Sequence, residues 1–249
     1  DDYSDDYEDD YGDDYSDDYE DVLAVFSVED GGFDLISGNP SSSNEQLYEK
    51  IWVRAALLIP DDYETMIVKF EVATDGTDGS VAYTYNEDAA LREWVLSLDP
   101  DDSVSRNGRF ASDFDDTVIH EFAHILTLND TQMSSSASGT YVAEEGRLKA
   151  DSYLNLFYDA FWTDIISEYS RSVNDESEDD VYAFYESHTD MFINDYAATN
   201  PEEDIAESFS AFVLKNKPTG SEIKDQKVAF FYQFDELMDI RAEIRSNIE

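Results

Sequence analysis

The chain has 249 residues, no cysteine, and 60 acidic against 15 basic residues, for a net charge of −45. Without cysteine it has no disulfide scaffold, thiol nucleophile or Cys-ligated zinc. A surface this negative repels nucleic acid and anionic membranes and attracts cationic peptides or Ca²⁺. The first 21 residues hold 13 acids and no base, yet the remaining 228 still carry −32, so the acidity belongs to the whole surface. No stretch approaches the ~20 apolar residues of a membrane span. The length suits a single monomeric domain with a sizeable core.

Residues 1–21 repeat D-D-Y-x five times. Self-repulsion and the lack of aliphatic side chains leave chain entropy unopposed there, so a disordered acidic tail is expected. The folded part then begins at Val22. Segments 22–28, 51–59, 66–73 and 80–85 are β-branched and aromatic and read as strands. The two Asp-Gly pairs within 75–79 read as a hairpin connection. Segment 87–98 fits either a short helix or a further strand, because Trp94, Leu96 and Leu98 alternate.

The next segment carries the chemistry. His120-Glu121-Phe122-Ala123-His124 is an H-E-x-x-H motif inside an apolar helical pattern, with Ser112 and Asp115 as its expected cap and Asn129-Asp130 as its stop. Residues four apart stack on one helix face, so both imidazoles aim at one point. That spacing suits Zn²⁺, and Glu121 between them reaches a water as general base. After a Ser-rich loop over 131–140 the pattern is helical, with helices expected over 148–170, 180–193 and 224–247. Strands first and helices after predict an α+β protein, with an N-terminal lobe over 22–130 and a helical lobe over 141–249.

A hydrolytic zinc site usually takes three protein ligands. Asp130 lies six residues beyond His124, but Thr127 stands where a sharp turn needs glycine; His188 is the one remaining histidine. Asn200-Pro201 predicts a helix start, and this puts Glu203 and Glu207 one turn apart on one face. Stacked, partly buried carboxylates need a positive partner. A metal on Glu203, with Glu207 accepting a hydrogen bond from a ligating imidazole, meets that need. The competing role for Glu203 is a bond back to its own helix cap.

H-E-F-A-H followed by Tyr196, six residues, Glu203, three residues and Glu207 resembles the glutamate zincins, in particular the catalytic domain of anthrax lethal factor and the related Pro-Pro endopeptidases. The resemblance covers the two motif helices, under half of the chain. It implies a zincin-like fold, one catalytic Zn²⁺ on His120, His124 and Glu203, Glu207 behind the ligands, and Tyr196 as oxyanion donor.

The expected function is zinc-dependent hydrolysis of a peptide or protein substrate, with strand 80–85 binding it in extended form. The alternative is a non-catalytic secreted or surface adhesion module that keeps the metal shell; retention of Glu121 argues against it. A third reading makes the acidic tail the centre of a Ca²⁺-dependent surface protein. With the protease-type motif and a start at Asp1, the expected location is secreted or cell-surface.

Overall fold

The computed structural model describes residues 21–76, 81–174 and 177–248. Of the expected acidic tail, residues 1–20 lie outside that range, while Asp21 already opens the first strand. The architecture is α+β. Five strands, β1 (Asp21–Ser27), β2 (Asp34–Gly38), β3 (Ile67–Thr74), β4 (Ala82–Asn86) and β5 (Trp94–Leu98), form one mixed sheet in the order β2-β1-β3-β5-β4. A two-stranded ribbon, β6 (Val142–Ala143) with β7 (Gly146–Arg147), interrupts the otherwise helical second half.

The helices are α1 (Ser42–Ala56), α2 (Asp61–Glu64), α3 (Pro100–Ser103), α4 (Phe114–Leu128), α5 (Tyr153–Phe161), α6 (Ile166–Ser172), α7 (Glu178–Ser187), α8 (Pro201–Leu214), α9 (Ile223–Phe230) and α10 (Asp235–Ile248). None among the described residues is long and apolar enough to cross a membrane.

Two sheet-region expectations are corrected. Segment 51–59 is not a strand: its first part completes α1, which starts at the Ser41 cap and buries Tyr48, Ile51, Trp52 and Ala55. That i, i+3, i+4, i+7 spacing is helical, and the β-branched run hid it because its period begins in a polar stretch. Trp52 then packs on Phe70 of β3, with ring centroids 5.6 Å apart.

Nor do β3 and β4 form a hairpin. β5 inserts between them, parallel to β3 and antiparallel to β4, so Asp75-Gly76 leads into a crossover; residues 77–80 of the expected turn lie outside the described range. All five residues of β5 are buried, which demands a neighbour on each side, whereas the half-exposed β4 tolerates the edge. Of the two options for 87–98, the strand is observed for its last five residues.

Further corrections concern helix ends. The Ser112/Asp115 cap does not form; Asp113 holds the N-cap position with no side-chain bond. Asn129 does close α4, donating from Nδ2 to the carbonyls of Ile125 and Leu126 at 2.8 and 3.2 Å. The helix expected over 148–170 is α5 plus α6, broken where Trp162 turns into the core. The one expected over 224–247 is α9 plus α10, broken by a 3-10 turn at Phe231–Gln233 that buries Phe231 among Phe157, Phe209 and Phe212. Helix α7 stops at Ser187, short of 193.

Candidate metal centre

Helices α4 and α8 pack face to face beside β4. Phe122 of α4 meets Phe209 of α8 edge to face at 5.9 Å, and Ser210 of α8 hydrogen-bonds to Asp116 of α4. This contact turns His120, Glu121 and His124 toward the first turn of α8. That turn is set locally: Asn200 Oδ1 accepts the N–H of Glu203 at 2.9 Å, with Pro201 at the first helical position. The Glu203 carboxylate, however, goes to the histidines. Glu203 Oε2 lies 2.9 Å from His120 Nε2 and 3.5 Å from His124 Nε2, and the two Nε2 atoms are 3.0 Å apart. Three donors from two helices therefore converge on one point.

Glu207, one turn along α8, sits behind them. Its Oε1 accepts from His120 Nδ1 at 2.8 Å and its Oε2 accepts from Asn194 Nδ2 at 2.7 Å. Asn194 also accepts the N–H of Ala197, so it ties Glu207 to the 3-10 turn Tyr196–Ala198 that precedes α8. Sequence reasoning missed Asn194, since no motif marks an amide whose two partners are brought to it only by folding. Tyr196 stands over His120 with ring centroids 5.6 Å apart. The residue is 53% exposed, yet desolvation of the hydroxyl, then the charges of Glu203 and Glu121, push the phenol well up.

The electrostatics describe a pocket built around positive charge. Burial alone would lower His120, but hydrogen bonds to Glu203 and Glu207 outweigh it and raise the imidazole to about 10. Burial works to raise Glu203, and the two histidines override it, holding that carboxyl well below the usual range. Glu207 is lowered in the same way by His120. Glu121 differs: burial pushes it up, opposed by both imidazoles. A carboxylate raised this way is a better proton acceptor than an ordinary one.

The two alternative ligands lie elsewhere. Asp130 pairs with Arg92 at 2.8 Å. His188 stacks on Phe184 at 4.2 Å, with its Nδ1 at the Phe184 carbonyl.

The residues fit a divalent metal. Tetrahedral zinc with bonds of ~2.0–2.1 Å sets its donors about 3.3 Å apart, and the three separations seen straddle that value. Two imidazoles and one carboxylate form a set that could hold a metal ion, with Glu207 at His120 Nδ1 leaving Nε2 toward the other donors. The centre opens into a cleft of about 500 Å³ bordered by Ala82, Tyr83 and Thr84 of the edge strand β4 and by Tyr141, Glu145 and Glu202 opposite. Tyr141 donates to Glu202 at 3.0 Å, and burial raises Glu202 to about 7.

No protein-family profile matches the chain, and no curated protein or solved structure shows significant similarity to it.

Proposed function

We propose that this chain is a zinc-dependent endopeptidase of the glutamate-zincin type, with α4 and α8 as its two ligand-bearing helices. The observation that carries the reading is the convergence of His120, His124 and Glu203 on an open cleft that Glu121 also lines. A structural metal site needs only the ligands; a non-ligating buried glutamate facing the same cleft is what hydrolysis adds.

Zn²⁺ held by His120, His124 and Glu203 would supply Lewis acidity and lower the pKa of water toward neutrality. Glu121 accepts the proton of the attacking water and delivers it to the leaving amine. Tyr196 donates a hydrogen bond to the oxygen that gains charge in the transition state. Strand β4 lies at the edge of the sheet and takes up an extended peptide as an added strand, beside the Thr84 N–H that bonds to Glu121. Glu144 and Glu145 on the cleft wall suit substrates with basic side chains.

The test pairs metal content with turnover. The purified full chain should hold one zinc by elemental analysis and cleave members of a peptide library. Glu121→Gln should keep the zinc and lose hydrolysis, because an amide cannot take up the proton. Full zinc content without cleavage in the unsubstituted chain would instead favour the adhesion-module reading.

A further inference from the structure

A second group of acids, none of them in the histidine site, lies at the carboxyl ends of β3 and β5. Asp75 follows the last residue of β3, Asp99 follows the last residue of β5, and Asp102 sits on α3. These are adjacent parallel strands, so their carboxyl ends open side by side. Each aspartate offers an oxygen, and the three oxygens lie within 4.8 Å of one another.

Three like charges at that distance repel strongly unless something cationic sits among them. Among the described residues, no lysine, arginine or histidine pairs with Asp99 or Asp102. Acid clusters on so acidic a chain are common, so the deciding observation is Asp99 itself. It is 3% exposed. Its Oδ1 caps α3 by accepting the N–H of Asp101 at 2.7 Å, but its Oδ2 is buried with no hydrogen-bond partner. A buried carboxylate oxygen left bare is costly, and a cation satisfies it. Burial, then the charges of Asp99 and Asp75, also push the Asp102 carboxyl upward.

We propose that Asp75, Asp99 and Asp102 hold one Ca²⁺ ion. An all-carboxylate set selects a hard cation. Oxygens bound at ~2.3–2.6 Å to one Ca²⁺ span at most about 5 Å across the ion, which accommodates this cluster. The ion ties the end of β3 to the β5–α3 corner. That corner also holds the chain entering β4, since the Asp99 N–H donates to the Val81 carbonyl at 3.0 Å. Calcium therefore braces the edge strand that borders the cleft, and its binding does not depend on the zinc reading.

The experiment is calorimetric titration with CaCl₂ and thermal unfolding of the full chain in about 150 mM NaCl, where surface charge is screened. It compares the unsubstituted protein with Asp99→Asn, Asp102→Asn and His120→Ala. Asparagine at 99 keeps an oxygen for the Asp101 N–H, so the α3 cap survives; Asp102→Asn leaves that cap untouched. The unsubstituted chain and His120→Ala should show one saturable Ca²⁺ site and a Tm gain of about 5–10 °C at roughly 100 times Kd. Both asparagine variants should bind at least tenfold more weakly, with most of that gain lost. The proposal is overturned if no saturable site exists, if both asparagine variants retain it, or if His120→Ala abolishes it. An equal Tm gain from MgCl₂ overturns the assignment to calcium.

Discussion

Glu203 and Asp204 are neighbours on α8, yet they solve the cost of a buried carboxylate in opposite ways. Successive helix residues point about 100° apart, so Glu203 faces the cleft while Asp204 faces the core. Asp204 Oδ2 meets Lys227 Nζ of α9 at 2.5 Å and accepts from Trp162 Nε1 at 2.8 Å; both charged side chains are fully buried. The ammonium also lies 4.0 Å from the Phe192 ring centroid. That carboxylate has a resident cation which cannot leave without unfolding the interface. Glu203 is held by the imidazoles of His120 and His124 and by the Tyr196 hydroxyl, partners that a metal ion can displace. One helix thus carries a permanent ion pair that anchors it and, one residue earlier, an exchangeable one that the cleft can use.

Glu203→Ala should abolish tight zinc binding while leaving the fold intact, because Glu203 faces the cleft and not the core. Glu207→Gln should weaken zinc only ~10–100-fold, as expected for a residue acting through a ligand. Chelator competition ranks the two, and the reverse order would exchange their roles.

Lys227→Met should do the opposite. Removing one partner of a buried pair leaves an uncompensated charge, typically at ~3–5 kcal/mol of stability. Denaturant unfolding measures this, and a loss below about 1 kcal/mol would mean the pair does not anchor α8.

Tyr196→Phe should lower kcat by ~10²–10³-fold with zinc content and KM little changed. If the tyrosine merely packs against His120, phenylalanine fills the same space and steady-state kinetics stay within a few-fold of the unsubstituted chain.

The gentlest test reads protons. In the metal-free protein His120 is raised to about 10 from an ordinary 6.5, so its stabilising contribution is complete below 6.5 and fades as pH rises through about 10. Glu203 is lowered from 4.5, so its contribution is present above 4.5 and fades as pH falls. The metal-free protein should gain most from this pair between these limits and lose denaturant resistance toward pH 10. At pH 7 zinc uptake should release about one proton per ion, since the ligating imidazole must be neutral. Titration in buffers of different ionisation enthalpy detects it; no buffer dependence would mean His120 is already neutral.

Much of the candidate metal centre is written locally. The i, i+4 histidines, the Asn200-Pro201 helix start and the Glu203/Glu207 spacing each lie within one or two helical turns. Short-range geometry therefore carries them, and α4 and α8 form where their periodicity places them. Where the fold departs from the local pattern, the causes differ. Segment 51–59 looks like a strand because the helical period that includes it starts in the polar residues of α1. The breaks at Trp162 and Phe231 exist because those rings are pulled into a core assembled from distant segments.

Chain order alone could not place β5 between β3 and β4, for pairing across a sheet is decided by which strand must be covered on both sides. Nor could it show that Lys227, one of 15 basic residues in a chain of charge −45, lies fully buried against Asp204, or that Asn194 bridges Tyr196 and Glu207. Those roles arise when segments far apart in sequence meet, and what they exchange is desolvation, which no single segment experiences before the core closes. The local sequence thus prescribed which groups offer chemistry. The packed fold chose which of them face the cleft and which are paired in the core.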